Sequence, residues 1–380
     1  MNCKKCDISG TVVLRRKDYY CGNCFITNIN HKFRACIGKN RAISPHEKVL
    51  VCLSGGRSST VLLDMIYNGI TISNHKKLRM TPFFLHLIDN NKNSEQIANT
   101  VVRQCKQYDF EVFMIHMSEY VSNSTNLPEP NSIPANNYEA ELQAMLGSMT
   151  ATVRNDFVVK IRRHLSIRIA EQLQCHFIFT AETTATLAIN LLSNLTVGRG
   201  AQVQDDVSFC DARDGKVKIL RPMKDISKEE LIYYIKINNL NPIDQIDVKE
   251  NSLQSVIGTF VTELQDSFQA TISTICKTAD KIGTDAGEET NQQCVLCECD
   301  LRMKNNKLTA LDATNFSKMV SERSNNIHSN NDKLENLGDQ ESMKSMFPFI
   351  NERLCYGCSR NYLEMDHCKL PCYIQKTLQS

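Results

Sequence analysis

Eight of the seventeen cysteines stand in pairs with two residues between partners: Cys3 and Cys6, Cys21 and Cys24, Cys294 and Cys297, Cys355 and Cys358. Such a knuckle turns two thiolates toward one point, and two knuckles complete the tetrahedral four-thiolate shell that suits zinc. The first two knuckles are separated by fourteen residues, 7–20 (DISGTVVLRRKDYY), which read as the β-hairpin spacer of a zinc ribbon. The second pair is split by a long insertion, and Cys299, Cys368 or Cys372 could take a ligand position there. A different chemistry is written in 49–60, VLVCLSGGRSST. Five apolar residues make a short buried strand, a glycine turn follows, and 58–67 carries Val61, Leu62, Met65 and Ile66 at helical spacing. Strand, turn and helix start together make an anion site. Gly55 and Gly56 let the backbone approach a phosphate, the free N–H groups of the new helix hold it, and Ser54, Ser58 and Ser59 add hydroxyl donors. No Gly-Lys-Ser/Thr follows, so this is not a Walker A loop.

The composition narrows the setting. An odd number of cysteines does not fit a closed disulfide framework, and paired cysteines in a reducing compartment read first as metal ligands. At 380 residues and 42% hydrophobic content there is room for one large α/β domain with attachments. No stretch approaches the length of a membrane span, and MNCKKC is not a signal peptide, so a cytosolic, membrane-free protein is expected. A net charge of +2 means that any nucleic-acid contact must come from a local patch. One candidate is 19–46, which has no acidic residue and carries Lys32, Arg34, Lys39 and Arg41. Arg199, in the Gly-Arg-Gly turn 198–200, is a second candidate, expected to sit in a flexible turn.

These groups must be positioned by an alternating framework. After the glycine turn and its helix, 82–89, 110–117, 175–180 and 217–220 read as further strands, with helices between them at 95–109, 151–174 and 183–194. Helix 151–174 is expected to turn Val158, Ile161, Leu165, Ile169 and Leu173 inward and Lys160, Arg163 and His164 outward. Ser227 and Glu230 form a capping box for one more helix. Five strands alternating with helices predict a doubly wound parallel sheet. The spacing also predicts one long helix over 250–282, and a polar 304–345 that cannot bury much and reads as a loop or disordered. The resulting organisation is a zinc module with a basic segment at 1–40, an α/β domain at 45–245, a packing helix at 250–282, and a Cys-rich zinc module at 290–380.

The glycine turn resembles the PP-loop of the ATP pyrophosphatases, whose usual form is Ser-Gly-Gly-x-Asp-Ser; here Ser58 stands in place of the Asp. Together with the N-terminal knuckles, HKFRACIGKNR, AINLLSNLTVGRG, ILRPMKD, CVLC and LCYGC, it makes the chain resemble the cytoplasmic tRNA 2-thiolation protein 2 family over nearly its whole length. That resemblance implies a PP-loop-type sheet flanked by zinc-ribbon-like modules. It also implies a place in the complex that puts sulfur on the 2-position of wobble uridine U34 in tRNAs for Lys, Glu and Gln. There the sulfur comes from a ubiquitin-like thiocarboxylate carrier, and ATP adenylates the uracil O2. The expected partners are a catalytic PP-loop subunit, in a heterodimer or larger assembly, and tRNA. Catalytic relatives carry two acidic residues after the fourth strand, where TAETTAT places Ala185 and Thr186. Cys105, Cys175 and Cys210 are single, with no mid-domain C-x2-C for sulfur handling. Magnesium on phosphates is anchored through carboxylates, so the loop reads as degenerate, ATP and magnesium are in question, and no catalytic residue is assigned. The competing readings are an independently active ATP-dependent tRNA sulfurtransferase and a zinc-ribbon RNA-binding scaffold.

Overall fold

The computed structural model describes residues 1–15, 17–39, 43–73, 77–89, 93–123, 127–200, 203–244, 251–281, 292–301, 314, 317–318 and 353–379. It divides into one unit comprising 1–283 with 364–380 and a second comprising 284–363. The polar stretch 304–345 falls almost wholly outside the described residues.

The first unit is built on β3 (Glu47–Cys52), whose Val49, Leu50 and Val51 are all fully buried. A strand buried on both faces reads as an unbroken apolar run, as a parallel sheet requires. β3 pairs in parallel with β4 (Met80–Ile88) on one side and with β6 (Phe177–Phe179) on the other. Beyond them lie β5 (Val112–His116) and β8 (Lys218–Leu220), also parallel, and β7 (Cys210–Asp211) closes one edge antiparallel to β8. The order is β5-β4-β3-β6-β8-β7, so the expected five parallel strands are present with one short edge strand added. The chain runs outward from β3 in one direction and then restarts at β6 on the other side. The crest between β3 and β6 is therefore the topological switch point, where doubly wound sheets bind ligands.

Side chains alternate across the sheet. Val49 and Val51 face a core shared with α1 (Gly22–Lys39), α2 (Arg57–Thr71), α3 (Ser94–Lys106) and α9 (Lys228–Ile237). Leu50, Leu85, Ile115, Ile178 and Ile219 face the other way, onto Ile167, Ile169 and Ala170 of α6 (Ala151–Gln172). The N-terminal hairpin, β1 (Val12–Leu14) with β2 (Asp18–Tyr20), contributes Val12 and Leu14 to the first core. The basic run after it is helical, α1, and Phe25, Ile29, Phe33, Cys36 and Ile37 bury one face of it. The apolar period is therefore the signal that places this segment; of its cations Lys39 is exposed, while Lys32 and Arg34 are half-buried.

Two sequence expectations are corrected. Lys160 and Arg163 do not point away from the core, because α6 is enclosed on more than one side. Lys160 is 7% exposed and pairs with Asp156 at 2.5 Å, and Arg163 pairs with buried Asp211 at 2.6 Å. The single helix over 250–282 is two, α10 (Leu253–Ser267) and α11 (Thr271–Ala279). Phe268 leaves the helix in an extended conformation and is 67% exposed, and Gln265 caps the next helix by accepting from Ile272 N–H. α11 packs with α7 (Thr184–Thr196) and α8 (Val203–Val207) in a separate apolar cluster. The C-terminal stretch also belongs to the first unit. Tyr373 donates to Tyr120 O at 3.0 Å and stacks on His164, and Thr150 donates to Glu364.

The loop-bearing helix α2 is fastened by one buried carboxylate. Asp64, 7% exposed, accepts from Tyr234 Oη of α9 at 2.7 Å, from Tyr108 Oη at 2.9 Å and from Asn68 at 2.9 Å. Burial, and then the charge of Asp64, push both phenols up, so they remain donors. Tyr234→Phe keeps the ring and removes one charge-assisted bond from a buried acceptor. We expect a loss of about 1.5–3 kcal/mol in chemical denaturation, with the secondary structure unchanged.

Candidate functional site

The glycine turn sits at the crest of β3. Gly56 is the N-cap of α2 and no side chain caps that helix, so its first N–H groups stay open to an acceptor. Gly55 takes a left-handed φ of 79°. A Cβ there would lie 2.5 Å from Ile243 Cδ1 and 2.9 Å from Val101 Cγ2, which only glycine avoids. The loop is also strapped from outside by the segment following α9. Ile243 N–H donates to Gly55 O at 2.9 Å, Gln104 donates to Asn241 O, and Arg57 pairs with Asp244 at 3.0 Å. Nothing in the sequence pattern announces this strap, because the contact depends on tertiary placement alone.

The hydroxyls divide by burial. Ser54 is exposed and Ser58 half-buried, while Ser59 is 2% exposed and turned into the loop, donating to Gly56 O at 3.0 Å with Ser54 Oγ 3.2 Å away. Ser59 thus shapes the turn from within, leaving Ser54 and Ser58 at the rim.

Across the switch point, 180–183 leaves β6 and α7 begins with Thr184, Ala185 and Thr186. The one acid in this stretch, Glu182, is already engaged. It accepts from Arg221 Nε at 2.7 Å and Thr180 Oγ1 at 3.0 Å on one oxygen, and from Asn190 at 3.3 Å on the other. Sequence reasoning passed over this pair, since Arg221 lies in ILRPMKD, far away in the chain. The single thiols of the domain are quiet: burial pushes Cys105 up to about 12 and Cys52 and Cys175 up to about 11. Cys210 is raised by burial too.

The basic candidates separate in the same way. Lys32 is spent in packing α1 on α9, with Glu230 at 2.6 Å and Asp225 O at 3.4 Å. Arg199 does not sit in a flexible turn. It is 5% exposed and grips both oxygens of Asp156, so it is an internal clamp and not an outward-facing cation. Burial alone would raise Asp156, but Lys160 and Arg199 hold its carboxyl well below the usual carboxylate range. Arg34 is half-buried and Lys39 exposed, on α1, and Arg41 lies outside the described residues. One basic feature was missed by sequence. Residues 65–88 also lack any acid, and the pairing of Glu47 with Met80 brings their Lys77 and Arg79 beside His46. These three exposed side chains line a groove of about 620 Å³ with Ile70, Thr71, Leu78 and Met80, at the end of the sheet opposite the glycine turn.

Both cysteine sets converge. In the first unit Cys3, Cys6, Cys21 and Cys24 place their sulfurs within 4.8 Å of one another, with Cys6 3.6 Å from Cys21 and 3.7 Å from Cys24. The turn closed by the Asn2–Ser9 bridge supplies the first knuckle and the start of α1 the second. In the second unit Cys294, Cys297, Cys355 and Cys358 converge equally closely. There Val295 N–H donates to Arg353 O, and α12 (Tyr356–Leu363) opens directly after Cys355. Cys368 and Cys372 are exposed and belong to the first unit, at the 3-10 turn His367–Lys369 and the start of α13 (Cys372–Gln379), and are not among the four converging sulfurs. No described helix is long and apolar enough to cross a membrane.

Comparison with known proteins follows the same lines. The family model described as cytoplasmic tRNA 2-thiolation protein 2 matches residues 252–360. A cytoplasmic tRNA 2-thiolation protein 2 of Danio rerio is 30% identical, over 84% of this chain and 76% of that relative. The Aedes aegypti protein of that name is 29% identical, over 96% of this chain and 92% of that relative. Among solved structures, the U34-tRNA thiolase NcsA from Methanococcus maripaludis, with its [4Fe-4S] cluster, matches at a TM-score of 0.59 and 16% identity. It covers 83% of this chain and 96% of that one, and establishes the PP-loop type of fold.

The loop geometry is directly testable. Gly55→Ala adds left-handed strain and a clash with Ile243 and Val101, so we expect about 2–4 kcal/mol of destabilisation by denaturant titration. Ser54→Ala, at the exposed rim, should leave stability within about 0.5 kcal/mol.

Proposed function

This chain belongs to the cytoplasmic tRNA 2-thiolation protein 2 family, and on that premise we propose that it is the supporting PP-loop subunit of a cytoplasmic tRNA thiolase. It binds tRNA and holds a catalytic PP-loop partner in place, without activating ATP itself. The observation that carries this reading is the switch point: the Glu182 carboxylate is neutralised by Arg221, and Ala185, Thr186 and Ser58 offer no carboxylate. Magnesium on a nucleotide is anchored through carboxylates, so this donor set does not fit it and no adenylation step is assigned here. The open start of α2 remains suited to holding a phosphate.

In the proposed assembly the partner adenylates the O2 of the wobble uridine in tRNAs for Lys, Glu and Gln. The thiocarboxylate sulfur of a ubiquitin-like carrier then attacks C2 and displaces AMP, and hydrolysis of the carrier's acyl–sulfur bond leaves the sulfur on the base and a carboxylate on the carrier. The buried single thiols here favour a role outside that sulfur path.

The two cysteine sets fit single zinc ions. Four sulfurs about 2.3 Å from one ion lie about 3.8 Å apart, and the observed 3.6 and 3.7 Å separations in the first set match that edge. An iron–sulfur cube spreads its thiolates over separate irons and so wants them farther apart. Zinc at 1–40 would fix the hairpin against α1 and so set the direction in which Arg34 and Lys39 are presented, without taking part in the chemistry.

For tRNA contact the arrangement favours Arg34 and Lys39 together with the His46, Lys77 and Arg79 groove, with Arg41 between them in sequence. The test is the salt dependence of tRNA binding by the full chain. The variant Lys39→Ala/Lys77→Ala/Arg79→Ala should bind more weakly, with the slope of log K against log salt reduced by roughly 0.7–0.9 for each phosphate that is no longer neutralised. An unchanged slope would leave these cations as ordinary solvated surface.

A further inference from the structure

Three helices of the first unit share a face that carries almost no formal charge. Residues 183–198, 251–262 and 267–276 contain no Asp, Glu, Lys or Arg, although 23% of the chain is charged. They cover all of α7 and most of α10 and α11. Along α10, Val256, Phe260 and Leu264 follow one another about a turn apart and lead to Phe268. Val256, Phe260 and Phe268 are each more than half exposed. Next to them a groove of about 520 Å³ is lined by Leu191, Leu192 and Leu195 of α7, Thr274 and Ile275 of α11, and Phe268 itself. Single exposed apolar residues are ordinary, but large ones grouped around an apolar groove mark a protein–protein surface.

The face is firmly mounted, and it is tied to the crest of the sheet. Asn155 of α6 donates to Ser252 Oγ at 3.1 Å, and Leu253 N–H donates to Thr152 Oγ1 at 3.0 Å, which fixes the start of α10. Cys276 Sγ of α11 donates to Thr184 O at 3.4 Å. Thr184 opens α7 at the switch point and donates its hydroxyl to Lys224 O at 2.8 Å. A body seated on α7 and α11 therefore rests on the helix that begins at the crest.

Charge selects the occupant. RNA is held through cations that neutralise its phosphates, and these three stretches supply none. The surface that complements them is itself uncharged and apolar, as the centre of a protein interface is. We propose that the α7–α10–α11 face is the docking surface for the catalytic PP-loop subunit, which presents an uncharged apolar ridge to the groove and packs on Phe260 and Phe268. This division leaves the cations of α1 and of the His46 groove free for tRNA while the partner is bound. The proposal rests on reading this chain as a supporting subunit, and its test separates the two.

The full chain and the catalytic PP-loop subunit are purified separately and titrated by calorimetry, with the mass of each species read by light scattering. Phe260→Ser/Phe268→Ser removes two rings that lie mostly in solvent. It should keep the wild-type melting temperature and weaken the partner's affinity at least about tenfold, as loss of aromatic anchors does. Ile232→Ser, which removes an exposed apolar side chain from α9, should leave that affinity within about twofold. Wild-type affinity in the double variant would overturn the proposal, as would an equal loss in Ile232→Ser. A clear fall in the double variant's own melting temperature would mean that the rings pack within this chain, and would overturn it too. If the wild-type chain dimerised alone and the double variant did not, the face would belong to a second copy and the proposal would fail. If the wild-type chain did not bind the catalytic subunit at all, the supporting-subunit reading would fall with it.

Discussion

The Arg221 guanidinium ties together the parts of the domain that define its crest. It is 5% exposed, at the end of β8, and its Nε binds Glu182 beyond β6 while Nη1 donates to Asp205 O and Ser208 O. Asp211 of β7 lies 3.7 Å away, and the Arg221 carbonyl accepts from Cys36 of α1. A buried cation persists only when its charge and its donors are matched, so each of these partners is constrained by the need to satisfy it. The consequence for chemistry is direct. Glu182, the acid of the 180–186 stretch, balances a structural arginine.

The loop opposite is held in its shape by packing and hydrogen bonds. Gly55 accommodates Ile243 and Val101, Ser59 braces the turn from within, and Asp64 anchors α2 from below. These features keep an anion-shaped turn on a stiff support, and they do not require the reactive groups beside it. A PP-loop fold can therefore persist as a scaffold while its crest is rewritten into a buried ion-pair network of Asp156, Arg199, Lys160, Arg163, Asp211 and Arg213. In the proposed function the tRNA-binding surfaces lie elsewhere, on the exposed side of α1 and at the opposite end of the sheet.

Much of this was legible in the sequence wherever a local rule governs. The β3–turn–α2 unit, the five parallel strands and the Ser227–Glu230 capping box follow from apolar period and short motifs, and all three are observed. The knuckles were legible because ligand spacing is a local constraint, and the cysteine sets do converge. What escaped was whatever tertiary contact decides. Arg199 and Lys160 look like surface cations until Asp156 is brought between them, and the strap over Gly55 is invisible before α9 has packed. The break at Phe268 was hidden because the apolar residues on both sides continue a helical period, and only the Gln265 cap and the exposed ring reveal two helices. Cys299 was legible as a possible ligand, but its position against Cys297 was not, since it depends on the left-handed turn at Glu298.

In the proposed function the fold retains a phosphate-shaped loop while the crest no longer activates ATP. The most direct measurement is pyrophosphate release from ATP with magnesium and tRNA, by the purified chain alone and with a catalytic PP-loop partner added. The account predicts release only with the partner present, and none above background from the chain alone. Pyrophosphate formed by this chain alone, in proportion to added tRNA, would contradict it and make the protein an enzyme in its own right.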